Sequence, residues 1–362
     1  MITAISRPTG RTASPPDVTS SGRVVSGITP SGSLTLGNYL GALRRFVAGQ
    51  PSSGGQPSSG SQPSTAPPPA ALFFVADLHA LTAAHEPAVL RELTIETAAL
   101  FFASGLDPER STVFVQSHVP AHLRLSYLLE STAHVGELSR MIQFKEKGGA
   151  PGTRASLFTY PCLMAADILL YQTDTVPVGG DQDQHVELCR EIAVRFNRLY
   201  GETFTVPRVA RAALASRVAD LTDPATKMSK SALPGASGVI RMLDTPDVVR
   251  RKISRAVTDS DGEVRYDPAA KPGVSNLLEI AAAIANETPC EVAALSTSYG
   301  ALKESCGDLV VELLDPVRRR HSELMCDQGE LRRLLRAGAA RASGLADAMV
   351  QRAERAMGLL AP

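Results

Sequence analysis

The sequence lacks several features that would assign the protein to a specialised class. Its 362 residues carry 37 Lys+Arg and 37 Asp+Glu, so no overall charge draws the chain to nucleic acid or to a membrane surface. No apolar run approaches the roughly 20 residues of a membrane helix, and the N-terminus has no apolar signal core. The five cysteines never stand in a C-x-x-C spacing, which argues against a zinc site and a disulfide framework. These absences predict a cytoplasmic, non-membrane protein with reduced thiols and no protein-held metal.

The sequence also has no G-x-x-x-x-G-K-[ST] phosphate loop, but it has another candidate for binding phosphate. Residues 226–232 read Thr-Lys-Met-Ser-Lys-Ser-Ala, and no helical or strand period runs through them, so they are predicted to form an exposed loop. Two ammonium groups and two hydroxyls within five residues suit a polyphosphate. The alternative is an ordinary solvated loop. We call residues 226–234 the lysine loop.

The order of apolar segments predicts an α/β fold with a Rossmann-like parallel sheet. An unbroken apolar run predicts a buried parallel strand at 72–77, and further short strands are predicted at 23–28, 111–116 and 175–178. Helical spacing predicts helices from residue 34 onward and over 86–104, 120–147, 159–172 and 182–199. The opening strand, Pro/Ser/Gly turn and helix form the first Rossmann-like unit, in which the helix N-terminus favours anions.

Composition divides the rest of the chain. Residues 1–22 are rich in Ser, Thr, Pro and Gly and are predicted to be a disordered tail, and the low-complexity stretch 50–69 is predicted to be a flexible insert. Residues 235–362 are predicted to be mostly helical. They contain several arginine clusters, each of which is either a solvated helix face or part of an RNA-binding surface.

One carboxylate stands out because it lies inside an apolar helix. Asp167 is surrounded by Met, Ala, Ile and Leu, where an unpaired charge is costly. Tyr160, Met164, Asp167 and Tyr171 are spaced by four, three and four, so they share one helical face. This face suits an aromatic ligand with one N–H donor, such as an indole. The alternative is a core aspartate held by a nearby arginine or a backbone N–H.

Together these segments resemble the class I aminoacyl-tRNA synthetases in their tryptophanyl form. The first signature is similar to residues 27–32 with 35–38, and the second signature matches Lys227–Ser231 without a change. Further similarity lies at 76–82, 143–147, 160–171, 176–179 and 256–260, so the resemblance covers roughly residues 23 to 360 without the insert.

The resemblance implies an activity and a domain organisation. L-Tryptophan and ATP, with Mg²⁺, would give tryptophanyl-adenylate and pyrophosphate, followed by transfer to tRNA-Trp. Residues 23–225 would form the catalytic domain, and its helical connecting insertion at about 118–175 would form the interface of a homodimer. The lysine loop would be mobile, and residues 235–362 would read the anticodon.

The resemblance also implies roles for individual residues. The catalytic set would be Thr35, Asn38, Lys147, Lys227, Lys230 and Ser231. ATP would also contact Thr29, Pro30, Ser31, Gly37, Gly179, Gly180, Asp181, Val218, Met228 and Ser229. Tryptophan would contact Asp167, Tyr160, Met164, Gln182, His79, Val25, Val176 and Val178.

The sequence departs from the family pattern at two nucleotide-side positions. Gly180 stands where the family usually has an acidic residue, and Thr29 stands where it often has Gln. Two alternatives remain. One is the tyrosine enzyme of the same architecture, which needs a site for a phenol. The other is a non-catalytic relative that binds RNA or tryptophan as a regulator, which the intact lysine loop argues against.

Overall fold

The structure, a computed structural model, describes residues 23–51, 71–173, 175–178, 183–211, 218–233 and 235–360. The predicted disordered tail and residues 52–69 of the predicted insert lie outside the described residues. So do four predicted site residues, Gly179, Gly180, Asp181 and Gln182.

The strands form the predicted parallel arrangement. Strands β1 (Val24–Ile28), β2 (Ala71–Val75) and β3 (Ser111–Val115) pair in parallel in the order β1-β2-β3. Strands β4 (Thr175–Val178) and β5 (Arg208–Arg211) form a second parallel pair, and β4 lies next to β1. The order of neighbouring strands therefore reverses direction between β1 and β4, the switch point where α/β folds bind ligands at the carboxyl ends of strands. The α/β prediction is confirmed, although β5 was not predicted.

Helices connect the strands and make up the C-terminal part. Helix α1 (Leu36–Asn38) continues through a π-helical turn (Tyr39–Leu43) into α2 (Arg44–Ala48). The other helices that precede β5 are α3 (Asp77–Ala80), α4 (Pro87–Ala103), α5 (Ala121–Glu130), α6 (Val135–Leu138), α7 (Ile142–Lys147), α8 (Ser156–Leu169) and α9 (Asp183–Tyr200). The later ones are α10 (Pro246–Ser254), α11 (Pro272–Ala285), α12 (Pro289–Leu295), α13 (Tyr299–Cys326) and α14 (Gln328–Ala356). The predicted helical character of the C-terminal region is confirmed.

The segment predicted as helical over 120–147 is three helices, α5, α6 and α7, and not one. His134 has an extended backbone (φ −107°, ψ 140°), and the Glu137 side chain accepts a hydrogen bond from its N–H at 3.1 Å. This reciprocal cap starts a new helix, and Met141 (ψ 134°) interrupts the chain again before α7. Helical periodicity detected the helices but not these two local breaks.

The sheet is buried on both faces, as its apolar strands predicted. All five residues of β2 are buried, and successive side chains enter different cores. Phe73 and Val75 pack with α4, α11 and α13, whereas Leu72 and Phe74 pack with α5, α8 and α9. The sheet is thus held between two helical layers, which fixes the position of the carboxyl ends of its strands, where a site can form.

Helix α14 lies along the outer edge of β3. A Cβ added to Gly338 would overlap the Val113 carbonyl oxygen, so the helix backbone approaches the strand closely only because glycine stands there. Arg341 donates to the Pro108 and Ser111 carbonyl oxygens at 2.9 and 3.4 Å. The last helix therefore packs directly on the sheet, and the division into a catalytic domain and a helical region beyond residue 235 stays a prediction.

The described part of the chain contains no helix that is long and apolar enough to cross a membrane. All five cysteines are free thiols, and Cys162, Cys189 and Cys306 are buried. Burial raises the pKa of the Cys162 and Cys306 thiols to about 12, which keeps them protonated and unreactive at neutral pH.

Candidate active site

The turn between β1 and the first helix is ordered by a reciprocal cap. Thr35 is fully buried, and its hydroxyl accepts a hydrogen bond from the Asn38 N–H at 3.3 Å. The Asn38 side-chain oxygen in turn accepts from the Thr35 N–H and hydroxyl at 3.0 and 3.1 Å. In this structure the two polar side chains of the first signature bind each other and fix the start of the helix. Their predicted contact with the nucleotide stays a prediction.

The lysine loop is held next to that turn by backbone hydrogen bonds to residues 218–220. The Met228 N–H donates to the Val218 carbonyl, and the Asp220 N–H donates to the Thr226 carbonyl, both at 3.0 Å. Met228 is buried, and a Cβ added to Gly37 would lie 3.5 Å from Val218 and 3.9 Å from Met228. Three residues predicted for the ATP site, Gly37, Val218 and Met228, therefore lie together.

A buried side chain of α11 supports this stem. The Asn276 amide accepts a hydrogen bond from the Ala219 N–H at 2.9 Å and donates to the Ala219 carbonyl at 3.2 Å. Ala219 also forms an isolated antiparallel bridge with Lys227. The Asn276 amide thus satisfies both backbone groups of Ala219, as a neighbouring strand would, beside the segment that carries the lysines. No local sequence pattern predicts this role.

The lysine loop closes onto the turn after β1. The Lys230 ammonium donates to the Thr29 carbonyl oxygen at 2.6 Å across 201 residues of sequence. Ser229 and Ser231 hydroxyls lie 2.8 Å apart, and Lys227 is exposed. The two signatures, distant in sequence, thus meet, and the meeting point is rich in ammonium and hydroxyl groups.

Lys230 should give the reaction a pH dependence, if ATP binds here. Burial, together with the neighbouring Lys227, lowers the pKa of Lys230 to about 8. The ammonium is charged below that value and neutral above it, so kcat/KM for ATP should fall as the pH rises through about 8. Rates measured at subsaturating ATP from pH 7 to 9.5 test this. Lys230→Arg, whose guanidinium stays charged, should give a flat profile. A flat wild-type profile would contradict it.

Gly32 is a second point where the backbones of the two signature segments approach closely. A Cβ at Gly32 would overlap the Lys230 carbonyl, a backbone atom that cannot rotate away. Gly32→Ala should displace the lysine loop and lower kcat by up to about 10²-fold, the cost of a misplacement of about 1 Å. Gly344→Ala adds a methyl group to a helical glycine with open space around it and serves as the control. Equal rates for the two variants would show that the observed closure is not needed.

Asp167 is buried at the same edge of the sheet and receives three hydrogen bonds. Its Oδ1 accepts from Gln116 Nε2 at 2.7 Å and from His122 Nδ1 at 2.6 Å, and its Oδ2 accepts from His79 Nε2 at 2.8 Å. Burial alone raises the pKa of Asp167, but the bonds from His122 and His79 outweigh burial and hold it below its ordinary value. Asp167 is therefore an ionised carboxylate, and among the described residues it is held by side chains and not by an arginine or a backbone N–H.

The donors to Asp167 come from the carboxyl ends of adjacent strands. His79 lies in α3, directly after β2, and Gln116 directly follows β3. His122 comes from α5, and its Nε2 lies 2.9 Å from the Tyr171 hydroxyl. Of these donors, the sequence predicts His79 at this site but not Gln116 or His122. A polar residue directly after a buried strand was the one signal that pointed to Gln116.

The helical face predicted around Asp167 is observed in part. Asp167 and Tyr171, one turn apart, both contact His122, so they share a face. Tyr160 is buried, its hydroxyl lies 2.5 Å from His185 Nε2, and burial raises its pKa to about 12. Met164 is half-buried on the same helix.

Lys147 is set apart from these residues. It is exposed at the end of α7 and lines a surface cleft with Thr82 and Arg154. No contact with the lysine loop is found for it in the described ranges, so its predicted contact with phosphate stays a prediction.

Comparison with known proteins decides the family. Residues 19–320 match the family described as tRNA synthetases class I (W and Y). The chain belongs to this class I tRNA synthetase family. The resemblance stated from the two signatures is thereby confirmed.

Relatives within this class I family are similar over nearly the whole chain. Tryptophan–tRNA ligase 1 of Streptomyces coelicolor is 53% identical over 347 residues, which cover 94% of this chain and 98% of that protein. Tryptophan–tRNA ligase of Bacillus anthracis is 43% identical, with 93% and 98% covered. The crystal structure of the tryptophanyl-tRNA synthetase from Mycoplasma pneumoniae has a TM-score of 0.80 at 33% identity and covers 94% of this chain and 99% of that one. The enzyme from Campylobacter jejuni complexed with ADP and tryptophan has a TM-score of 0.74 at 31% identity, with 93% and 100% covered.

The two departures from the class I pattern differ in consequence. Thr29 contacts Lys230 through its backbone carbonyl, a group that every residue has, so the change of side chain does not remove this contact. Gly180 lies outside the described residues. Of the predicted tryptophan contacts, Val25 and Val176 are buried, and Val178 belongs to β4.

Proposed function

We propose that this chain activates L-tryptophan with ATP and transfers the tryptophanyl group to tRNA-Trp. The observation that carries the proposal is the contact between Lys230 and Thr29. It places the lysine loop at the carboxyl end of β1, the same sheet edge where His79 and Gln116 hold Asp167. The lysine loop and the buried carboxylate thus lie at the same edge of the sheet, where a nucleotide and an amino acid side chain would bind.

The nucleotide part of the proposal follows from charge. Attack of a carboxylate on the α-phosphate of ATP needs positioning and stabilisation of the departing pyrophosphate. Lys227 and Lys230 supply ammonium groups, and Ser229 and Ser231 supply hydroxyls. ATP would enter with Mg²⁺. The lysine loop offers no carboxylate, so the metal would be held mainly by the phosphate oxygens, as is usual for this ion.

The amino acid part follows from Asp167. An ionised, buried carboxylate suits a ligand that brings one N–H donor, and an indole has one. A phenyl side chain brings no donor and would leave the acceptor incompletely paired, which discriminates against it. The family includes tyrosine enzymes, and a phenol could also donate to this carboxylate. The relatives that are 53% and 43% identical over nearly the whole chain are tryptophan–tRNA ligases, which favours the indole.

The tRNA part rests on exposed arginines of α14. Arg332, Arg333 and Arg336 are exposed on one helix. Arg332 and Arg336 bond within their own helix at 3.4 Å, to the Gln328 side chain and the Arg332 carbonyl. Arg341 is bonded to carbonyl oxygens beside β3 and Arg320 is paired with Glu323 on α13, so these two are less available to phosphate. The exposed arginines would contact the RNA backbone, and their contribution should weaken with salt.

Assembly as a homodimer is part of the proposal. Large apolar side chains are exposed on the helices of the predicted connecting insertion, including Leu123 (54%), Tyr127 (69%) and Val135 (73%). Single exposed apolar residues are common, but several on neighbouring helices mark an interaction surface. We also propose that the enzyme acts in the cytoplasm, where its tRNA substrate is.

Amino acid-dependent exchange of pyrophosphate into ATP tests the function. The purified chain should catalyse exchange with tryptophan and not with tyrosine, and should then charge tRNA-Trp. Exchange with tyrosine in place of tryptophan would assign the chain to the other branch of the family. Tryptophan binding without any exchange would support the regulator.

A further inference from the structure

The hydrogen bonds around Asp167 continue to a second layer of side chains. Tyr171, His122 and Asp167 form a chain in which the Tyr171 hydroxyl lies 2.9 Å from His122 Nε2, and His122 Nδ1 lies 2.6 Å from Asp167. His122 and Tyr171 are fully buried. We propose that this chain is a positioning relay that fixes which oxygen of Asp167 receives the substrate N–H. The inference rests on the proposed function.

The direction of each bond follows from the chemistry of its ends. An ionised carboxylate can only accept, so His122 must carry its proton on Nδ1 and donate it to Asp167. The other ring nitrogen, Nε2, is hydrogen-bonded to the Tyr171 hydroxyl. Burial, and next the nearby Asp167, raise the pKa of Tyr171, so its proton is retained. The tyrosine therefore anchors the far side of the ring, which keeps Nδ1 turned toward Asp167.

The two carboxylate oxygens are not equivalent. Oδ1 accepts from Gln116 and His122, both fully buried, whereas within the described part of the chain Oδ2 accepts from His79 alone. The His79 side chain is 15% exposed, and that of His122 is 0% exposed. Each carboxylate oxygen can accept about two hydrogen bonds. The two buried donors thus occupy both acceptor positions of Oδ1. Oδ2 lies on the more open side and can accept one more hydrogen bond.

The surroundings hold the His122 ring in place. Its centroid lies 5.8 Å from that of Phe74, 6.0 Å from that of Phe114 and 5.6 Å from that of Tyr171. Asp167 and Tyr171 are one turn apart at the end of α8, so a single ring of α5 spans both. If the ring took the other tautomer, a nitrogen lone pair would face the carboxylate, and Asp167 would lose one of its three donors.

The substrate specificity that follows can be measured with a sulfur analogue of tryptophan. In β-(3-benzothienyl)alanine a sulfur atom replaces the indole N–H, so the analogue fits the same shape but has no donor. The wild-type enzyme should prefer tryptophan by about tenfold or more in kcat/KM for exchange, the range for one hydrogen bond to a buried charge. The relay predicts that this preference depends on His122 and Tyr171.

Three variants separate the relay from simple packing. Tyr171→Phe removes one oxygen, and His122→Leu removes both ring nitrogens. Tyr171→Phe should raise the tryptophan KM by about threefold to tenfold, and His122→Leu should raise it by about tenfold to hundredfold. In both variants the ATP KM should stay within about twofold of the wild-type value. His122→Asn places an amide nitrogen near the Nδ1 position and should restore most of the affinity. In the first two variants the preference over the sulfur analogue should shrink.

The outcomes are distinguishable. No tryptophan-dependent exchange by the wild-type enzyme would refute the proposed function. Exchange by the wild type, with an unchanged preference in Tyr171→Phe and His122→Leu, would refute the relay alone. So would equal rises in the KM of tryptophan and of the analogue, because a packing defect affects both ligands. If His122→Leu does not fold, as its thermal melt would show, Tyr171→Phe decides the question.

Discussion

Replacing Lys230 with alanine should lower the rate of tryptophan activation by about 10²–10³-fold, the usual cost of removing one preorganised charge from a transition state. Lys230 is the lysine that reaches the turn after β1, so its ammonium lies where phosphate charge would develop. The effect should fall on kcat, because the charge on the leaving pyrophosphate grows as the bond breaks. The tryptophan KM should stay within twofold of wild type.

Single-turnover formation of tryptophanyl-adenylate is the direct measurement for this variant. Lys303→Ala is a matched control, because it removes a half-buried lysine of α13 outside the lysine loop. A Lys230→Ala enzyme that forms adenylate at the wild-type rate would remove Lys230 from pyrophosphate stabilisation. A rise in the ATP KM with unchanged kcat would instead indicate that the lysine contributes uniformly to binding.

Replacing Asp167 with asparagine should raise the tryptophan KM by about 10- to 150-fold, which corresponds to a lost hydrogen bond to a charged group of about 1.5–3 kcal/mol. Asparagine keeps the shape of the side chain but loses the charge and has an N–H₂ group in place of one acceptor oxygen. That group would face a donor from Gln116, His122 or His79. The ATP KM should change by less than twofold.

Steady-state exchange with each substrate varied in turn measures this split. Asp308→Asn is the control, since it neutralises a carboxylate that is 59% exposed and pairs with Arg250 at the surface. Equal rises in both KM values for Asp167→Asn would mean that the carboxylate holds the fold of the site and does not bind the amino acid side chain.

The sequence predicted the parallel sheet and the two signature segments because both are local signals. The apolar run of β2 stands out by itself, and the lysine loop stands out by its concentration of charge. The contact between the two signature segments is a long-range feature, because Lys230 and Thr29 are 201 residues apart in the sequence. No hydrophobic period or residue spacing predicts such a contact. The resemblance to a family supplied the expectation of a shared site.

The surroundings of Asp167 could not be predicted in the same way. The sequence identified the carboxylate because a charge among apolar residues is conspicuous, but its donors Gln116 and His122 lie 51 and 45 residues away. A single histidine in a helix carries almost no signal, because most such residues are ordinary core or surface positions. The breaks that divide 120–147 were missed for a similar reason, since a cap such as that of Glu137 on His134 depends on local backbone geometry.

The position of α14 beside β3 limits how copies of this protein can associate. An uncovered outer strand presents unpaired backbone groups to which a strand from another molecule can add. Here Gly338 brings a helix against the Val113 carbonyl, and Arg341 binds the Ser111 carbonyl. Two molecules therefore cannot extend one another's sheet through β3, and any assembly at this end must be built from helix-to-helix contacts.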